Sequence, residues 1–156
     1  MRLTALTFAG YPAGVTDFGS LLAAAPQHDF AELDDVMTVV AGQLTNPVPN
    51  LNISLIVIGH SDRQDRPDFT CDQKRASEIE AASGRALSAW EFIKQEVNSK
   101  VVAAGGQVSD WWENSPHVTW GLVFAAAGML AHDPPTMDQR PLNRRVVVLV
   151  TIFNPE

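Results

Sequence analysis

A short run of aliphatic residues sets the tightest limit on how this chain folds. The run is Ile53–Ile58, interrupted only by Ser54, and Gly59-His60-Ser61-Asp62 follows it directly. A continuous apolar segment rich in β-branched residues is typical of a central strand buried on both faces. Glycine allows a sharp turn, so we expect the three polar residues to stand at the sheet edge where this strand ends.

Three further segments have the apolar patterns of strands, at residues 2–8, 118–127 and 144–153. The first is followed by a loop rich in glycine and proline, through residues 10–19. The last begins inside a second motif, Arg140-Pro141-Leu142-Asn143-Arg144-Arg145-Val146.

Two segments repeat apolar residues at helical spacing. In the first, Asp29 and Glu32 fit a capping box that starts a helix. The second covers about residues 72–103, with a kink or break possible at Gly84 and an end at Gly105-Gly106. The order strand, helix, strand, long helix, strand, strand predicts one α/β domain over residues 1–156. It would be a two-layer sandwich with helices on one face of a mixed sheet.

Composition excludes several classes of partner. The chain has 18 acidic and 11 basic side chains, a net charge of −7, which argues against nucleic acid and anionic lipid. No apolar run reaches the length of about 20 residues needed to span a membrane, and no export signal is visible at the start. Cys71 is the single cysteine, so no internal disulfide is possible.

The two motifs together resemble the OmpA-like peptidoglycan-binding domain, which also occurs in Pal lipoproteins and flagellar stator B subunits. Residues 59–62 are similar to the GHxD of that family and residues 140–146 to its RxxNRRV ending. The resemblance covers about residues 28–153 and implies a β-α-β-α-β-β order. About residues 77–117 hold extra chain before the third strand. This extra chain includes the tryptophan loop, residues 107–117 with Trp111 and Trp112, which could cover the binding pocket.

The resemblance implies that Asp62 and an arginine hold the diaminopimelate of a peptidoglycan stem peptide. Asp62 would accept hydrogen bonds from the ammonium, and the arginine would grip the carboxylate with parallel N–H donors. Ser61 would contact the ligand or cap a turn, and Arg145 would add positive potential. Arg75 is favoured for the arginine because it falls in the first turn of the long helix. Arg85, which fits the apolar helix pattern better, is the alternative.

The remaining motif residues are expected to have structural roles. Gly59 and His60 would shape the turn after the strand, whereas Arg140, Asn143 and Arg144 would brace loops against the binding strand. The resemblance therefore predicts a non-catalytic domain without metal or cofactor. Its partners would be peptidoglycan and the envelope proteins of a membrane complex, in the periplasm or cell envelope. The missing export signal would then mean an excised domain.

Two alternatives stay open. The same fold could serve as a protein-interaction module in a secretion or motor-like assembly, with the tryptophan loop as its contact surface. A hydrolase or a metal enzyme ranks lower, because the candidate side chains match no tight ligand spacing. Those side chains are His60, Asp62, Cys71, His117 and His132.

Overall fold

The computed structural model describes residues 2–128 and 130–154, and a four-stranded mixed sheet forms its centre. The sheet order is β1-β4-β2-β3, with β4 antiparallel to both of its neighbours and β2 parallel to β3. The strands are β1 (Arg2–Ala9), β2 (Asn52–His60), β3 (Val118–Ala126) and β4 (Arg145–Phe153).

The three longer helices pack on one face of this sheet, so the predicted α/β architecture is confirmed. They are α1 (Phe18–Ala24), α2 (Phe30–Thr45) and α3 (Cys71–Ala103). Two short helical turns, α4 (Trp111–Asn114) and α5 (Arg140–Asn143), precede β3 and β4. Alternate residues of the four strands, with residues of α1, α2 and α3, form one hydrophobic core.

Strand β2 is buried on one face, and the prediction of burial on both faces is wrong. Ile53, Leu55 and Val57 are each at most 1% exposed, whereas Ile56 between them is 38% exposed. The helices cover only the face that carries the first three residues. On the other face, Val123 of the neighbouring strand is also exposed.

Helix α1 begins in the loop that the sequence analysis places at residues 10–19 and continues to Ala24, in a stretch where no element was predicted. Asp17 caps it, because its side chain accepts a hydrogen bond from the Ser20 N–H at 2.6 Å. Phe18 and Leu21 are fully buried in the core, so packing stabilises a helix too short to form alone. Gly19 is tolerated inside it for the same reason.

The predicted capping box of α2 is also wrong, although the helix begins at Phe30 as expected. The Asp29 carboxylate makes no capping bond and instead accepts the Thr7 N–H of β1 at 2.7 Å. Glu32 forms an ion pair with Arg2. The side chains predicted to cap the helix therefore connect it to strand β1.

Helix α3 is continuous through Gly84, so it is not split there. A true capping box starts it, formed by Thr70 and Gln73. The helix lies so close to β2 that a Cβ atom on Gly59 would be 1.9 Å from the backbone oxygen of Ala82. Gly59 is therefore required for close packing inside the strand, which continues to His60, and not for a turn.

Replacing Gly59 with alanine should destabilise the protein, because the added methyl group meets helix backbone that cannot rotate away. We expect the free energy of unfolding to fall by about 3 kcal/mol or more in urea titrations. Gly121→Ala in β3 is the matched control, since nothing lies within 4 Å of its added Cβ. Equal effects of the two substitutions would contradict the close approach of α3.

Candidate functional site

A cavity of about 380 Å³ lies where β2 ends, between α3 and the turn α5. The two sequence motifs meet here, because residues of both line its walls. Six of the lining side chains carry charge, two acidic and four basic. The lining residues are Ala13, Gly14, Ser61, Asp62, Arg63, Gln64, Ser77, Glu78, Ala81, Arg85, Met137, Arg140 and Arg144.

Asp62 is held in place by both of its carboxylate oxygens. Oδ2 accepts a hydrogen bond from Arg140 Nη1 at 2.9 Å, and Oδ1 accepts one from Asn143 Nδ2 at 3.0 Å. Arg140 also pairs with Asp65. The Asp62 side chain is only 10% exposed, so these contacts fix the direction of a largely buried carboxylate.

Asn143 is fully buried and connects the second motif to the rest of the site. Besides its bond to Asp62, the Asn143 side chain forms two hydrogen bonds with the backbone of His132. Its Nδ2 donates to the His132 oxygen at 3.0 Å, and its Oδ1 accepts the His132 N–H at 2.9 Å. These bonds tie the loop before α5 to the end of β2. A buried amide with all of these partners is strongly oriented.

Arg85 is the most deeply buried charged residue in the described chain, at 2% exposure. Its Nη1 donates to the backbone oxygen of His60 at 2.9 Å and its Nε to that of Val15 at 3.2 Å. The guanidinium also lies over the Tyr11 ring, 5.1 Å from its centroid. Among residues 2–128 and 130–154, no carboxylate forms an ion pair with it.

Burial lowers the pKa of Arg85 to about 10, with Tyr11 opposing that shift. The group therefore remains charged at neutral pH. Arg144 lines the same cavity, and burial lowers its pKa also. Two partly desolvated guanidiniums beside one cavity attract an anion, and a carboxylate fits the fork geometry of arginine best.

Ser61 adds a polar group without a partner. Its backbone N–H is bonded to the Ala126 oxygen at 3.0 Å, but its hydroxyl is buried and meets no hydrogen-bond partner among the described residues. Ser61 lines the cavity. A ligand at this wall could therefore supply the hydrogen bond that the hydroxyl lacks.

His60 and Arg145 lie behind the cavity, where they pair across β2 and β4. Burial, and to a smaller extent the positive charge of Arg145, lower the pKa of His60 to about 4. The imidazole is thus neutral at physiological pH. Neither residue belongs to the cavity lining.

The structure brings Arg85, and not Arg75, to the cavity of Asp62. Arg75 is exposed near the start of α3 and lines a neighbouring depression of about 620 Å³, which shares Arg63, Gln64 and Glu78 with the cavity but includes neither Asp62 nor Arg85. Ten residues separate the two arginines, which is about 15 Å along the helix axis. The geometry therefore favours the arginine that the sequence analysis kept as its alternative.

The tryptophan loop lies at the other end of the sheet and does not cover this cavity. It leads into Val118, which pairs with Ile53 at the start of β2, whereas Asp62 follows the end of β2. Trp111 is 3% exposed and packs edge-on against Trp90, with 5.7 Å between the ring centroids. These tryptophans form part of the core.

Residues 2–128 and 130–154 contain no group of three or more His, Cys, Asp or Glu side chains placed to hold a metal ion. Cys71 is exposed at the start of α3. In the same part of the chain, no helix is both long and apolar enough to cross a membrane.

The sequence matches no family model and no curated protein. Among solved structures, the chain is similar to the cell wall anchor of the T6SS from Pseudomonas aeruginosa. The identity is 17%, over 98% of this chain and 82% of that one, with a TM-score of 0.39. The chain is also similar to the C-terminal domain of Helicobacter pylori MotB. The identity is 15%, over 93% of this chain and 83% of that one, with a TM-score of 0.41.

A putative MotB like protein from Desulfovibrio vulgaris is 14% identical over 95% of this chain and 74% of that one, with a TM-score of 0.41. At these identities the similarity is one of fold.

The buried His60 predicts a specific pH dependence of stability. Its folded pKa, about 4, lies below the ordinary value of 6.5, so the unfolded chain binds the proton more tightly. This stabilising contribution is complete above pH 6.5 and is lost progressively as the pH falls towards 4. Urea titrations at pH 7 and pH 4.5 should show a smaller loss of unfolding free energy in His60→Gln than in the wild type. Identical losses would refute the prediction.

Proposed function

We propose that this chain binds peptidoglycan non-covalently through the diaminopimelate of a stem peptide, and that it anchors a parent protein or envelope complex to the cell wall. One observation supports this above all others. A single cavity contains an oriented carboxylate, Asp62, and a buried guanidinium without a carboxylate partner, Arg85. Such a site complements a ligand that carries both an ammonium and a carboxylate group.

In this proposal the ligand carboxylate meets Arg85 and Arg144, while the ammonium meets Asp62. The Arg85 side chain is already desolvated and is held by two backbone oxygens, so little further ordering accompanies binding. Because guanidinium has five N–H donors, donors remain for a ligand after those two bonds. Ser61 can add a hydrogen bond through its unpartnered hydroxyl.

Asp62 must serve the ligand while it stays bonded to Arg140 and Asn143. Each carboxylate oxygen has two acceptor sites, and each accepts one of these bonds. An ammonium can therefore share the carboxylate without displacing its supports. Glu78, which lines the same cavity, adds negative charge for the ammonium.

The proposed role is non-catalytic. Among the described residues the Ser61 hydroxyl has no hydrogen bond to a base, and the neighbouring His60 Nδ1 has no partner either. A nucleophile activated by a base would need such a contact. The cavity is thus suited to hold a charged amino-acid side chain, and the corresponding location is the periplasm or cell envelope.

The ligand specificity follows from the guanidinium. A muropeptide containing diaminopimelate should bind more tightly, by about tenfold or more, than a matched muropeptide with lysine at the same position, which lacks the side-chain carboxylate. Isothermal titration calorimetry measures the ratio. Equal affinities would mean that the carboxylate is not recognised and would overturn the diaminopimelate assignment.

Removal of the Asp62 charge should weaken binding of the same muropeptide. A hydrogen bond to a charged group contributes about 1.5–3 kcal/mol, so Asp62→Asn should lose about tenfold or more in affinity. Far-UV circular dichroism and thermal melting check that the variant folds. Unchanged affinity in a folded variant would exclude the cavity as the site.

A matched pair of variants distinguishes the roles of Arg85 and Arg75 in ligand binding. Arg85→Gln should abolish muropeptide binding, whereas Arg75→Gln should keep the wild-type affinity, because only Arg85 lines the cavity. Arg85→Lys, which keeps the charge but loses the fork, should bind weakly. If only Arg75→Gln lost binding, the ligand would occupy the depression at the start of α3.

A further inference from the structure

A second depression, of about 590 Å³, lies at the end of α3 remote from Asp62. Arg85 lines the cavity of Asp62, and Val101 lines this depression. Sixteen helix positions separate the two residues, which is about 24 Å along the axis of α3. The C-terminal turns of α2 and α3 form two walls, and the loop that carries Trp111 forms the third. This volume is in the usual range for small-ligand pockets, about 300–1,000 Å³.

The lining of this depression is uncharged. Among the described residues, no Asp, Glu, Lys or Arg lines it, although the chain as a whole has a net charge of −7. Its polar groups are amides, hydroxyls and one imidazole, from residues such as Gln107, Ser109, Asn114 and His117. The wall offers no charged side chain as a counter-ion, so it favours a neutral ligand over a charged one.

The hydrogen-bond acceptors of the walls are side-chain groups. Helix α2 ends at Thr45 and α3 at Ala103, and both terminal turns border the depression. The last carbonyl groups of α3 are already bonded, because they accept the N–H groups of residues 104–106 that follow the helix. Hydroxyl and amide N–H groups of a ligand would instead find acceptors in the side-chain amides, hydroxyls and imidazole of the lining.

One buried donor in the wall lacks an acceptor. The indole nitrogen of Trp111 is buried and has no hydrogen-bond partner among the described residues. Trp120, close by, donates its indole N–H to the Trp112 oxygen at 2.8 Å. An unsatisfied buried donor costs about 1–3 kcal/mol, so an acceptor on a bound ligand would recover part of that free energy.

Apolar side chains lie beside these polar groups. Leu44, Pro47 and Val101 line the same depression. An N-acetylated sugar combines hydroxyl donors, a carbonyl acceptor and a methyl group, and it has no charge. Each of its groups has a counterpart in the wall.

We infer that this depression binds a neutral chain of N-acetylated sugars, the glycan part of peptidoglycan. The choice of polymer rests on the proposed function, whereas the preference for a neutral ligand with both hydrogen-bond donors and acceptors rests on the depression itself. The chain would then hold the wall polymer at two chemically different places, one for the charged stem peptide and one for the glycan.

The test is calorimetric titration of the chain with an N-acetylglucosamine tetramer, which has no stem peptide and no charge. We expect saturable binding, and about tenfold weaker binding of the deacetylated, cationic tetramer. All four tryptophans of the chain lie in the cluster beside this depression, so intrinsic fluorescence should change on binding. The diaminopimelate stem peptide alone should leave that fluorescence unchanged.

Three variants locate the site. Trp111→Phe keeps a ring but removes the unpartnered N–H, and should weaken tetramer binding by about tenfold. Ala104→Phe fills the depression from an exposed position and should abolish binding. Ala76→Phe, exposed near the other end of α3, is its matched control and should bind normally.

Asp62→Asn distinguishes the two proposals, because it should lose stem-peptide binding and keep tetramer binding. Loss of tetramer binding in this variant would place the sugar in the first cavity and overturn the inference. No saturable binding by the wild type would overturn it too, as would normal binding by Ala104→Phe or tighter binding of the deacetylated tetramer. None of these outcomes depends on whether the stem peptide binds.

Discussion

The contact between the backbone of α3 and Gly59 of β2 determines the geometry around the first cavity. No side chain separates the helix from the strand there, since a Cβ at Gly59 would overlap the Ala82 oxygen. Arg85 follows Ala82 by about one helical turn and therefore faces the same strand end. Its hydrogen bond to the His60 oxygen is a consequence of this close approach. A larger residue at position 59 would move the helix and the guanidinium together.

Asp62 joins two motifs that are far apart in the sequence. Its partners Arg140 and Asn143 follow it by 78 and 81 residues. The bonds order the loop before α5 and orient the carboxylate at the same time. In the proposed complex, support of the loop and recognition of the ligand use the same two oxygen atoms, so a substitution at Asp62 tests both and needs a folding control.

The charge that lines the first cavity is opposite in sign to the net charge of the chain. The chain has a net charge of −7, yet four arginines and only two carboxylates line the first cavity. A binding site responds to the charges that face it, and low-dielectric walls strengthen their field. The acidic composition argues against polyanions as partners, but it could not indicate that arginines outnumber carboxylates around one cavity. Helix α3 extends from this charged region to an uncharged depression at its other end.

Much of the fold was predictable because its signals are local. The four strands and the long helices follow from apolar periodicity, which depends on neighbouring residues alone. Predictions were wrong where a distant segment competes with neighbouring residues for the same side chain or backbone. Asp29 fits a cap by spacing, but the Thr7 N–H of β1 takes its carboxylate. Helix α1 follows a loop with Gly10 and Gly14 and forms because Phe18 and Leu21 are buried.

By itself, the sequence determined the strand and helix order, the pairing of two motifs and the identity of Asp62 as a candidate binding residue. These depend on residue type and on short-range spacing. Only the tertiary structure showed that Arg85, and not Arg75, lines the cavity with Asp62, because both arginines lie on one helix and their distance from Asp62 depends on how that helix crosses the sheet. It also placed the tryptophan loop away from the cavity, since β2 and β3 are parallel and the loop enters β3 at the opposite end. Helix position and strand direction are properties of packing between distant segments, and no local pattern encodes them.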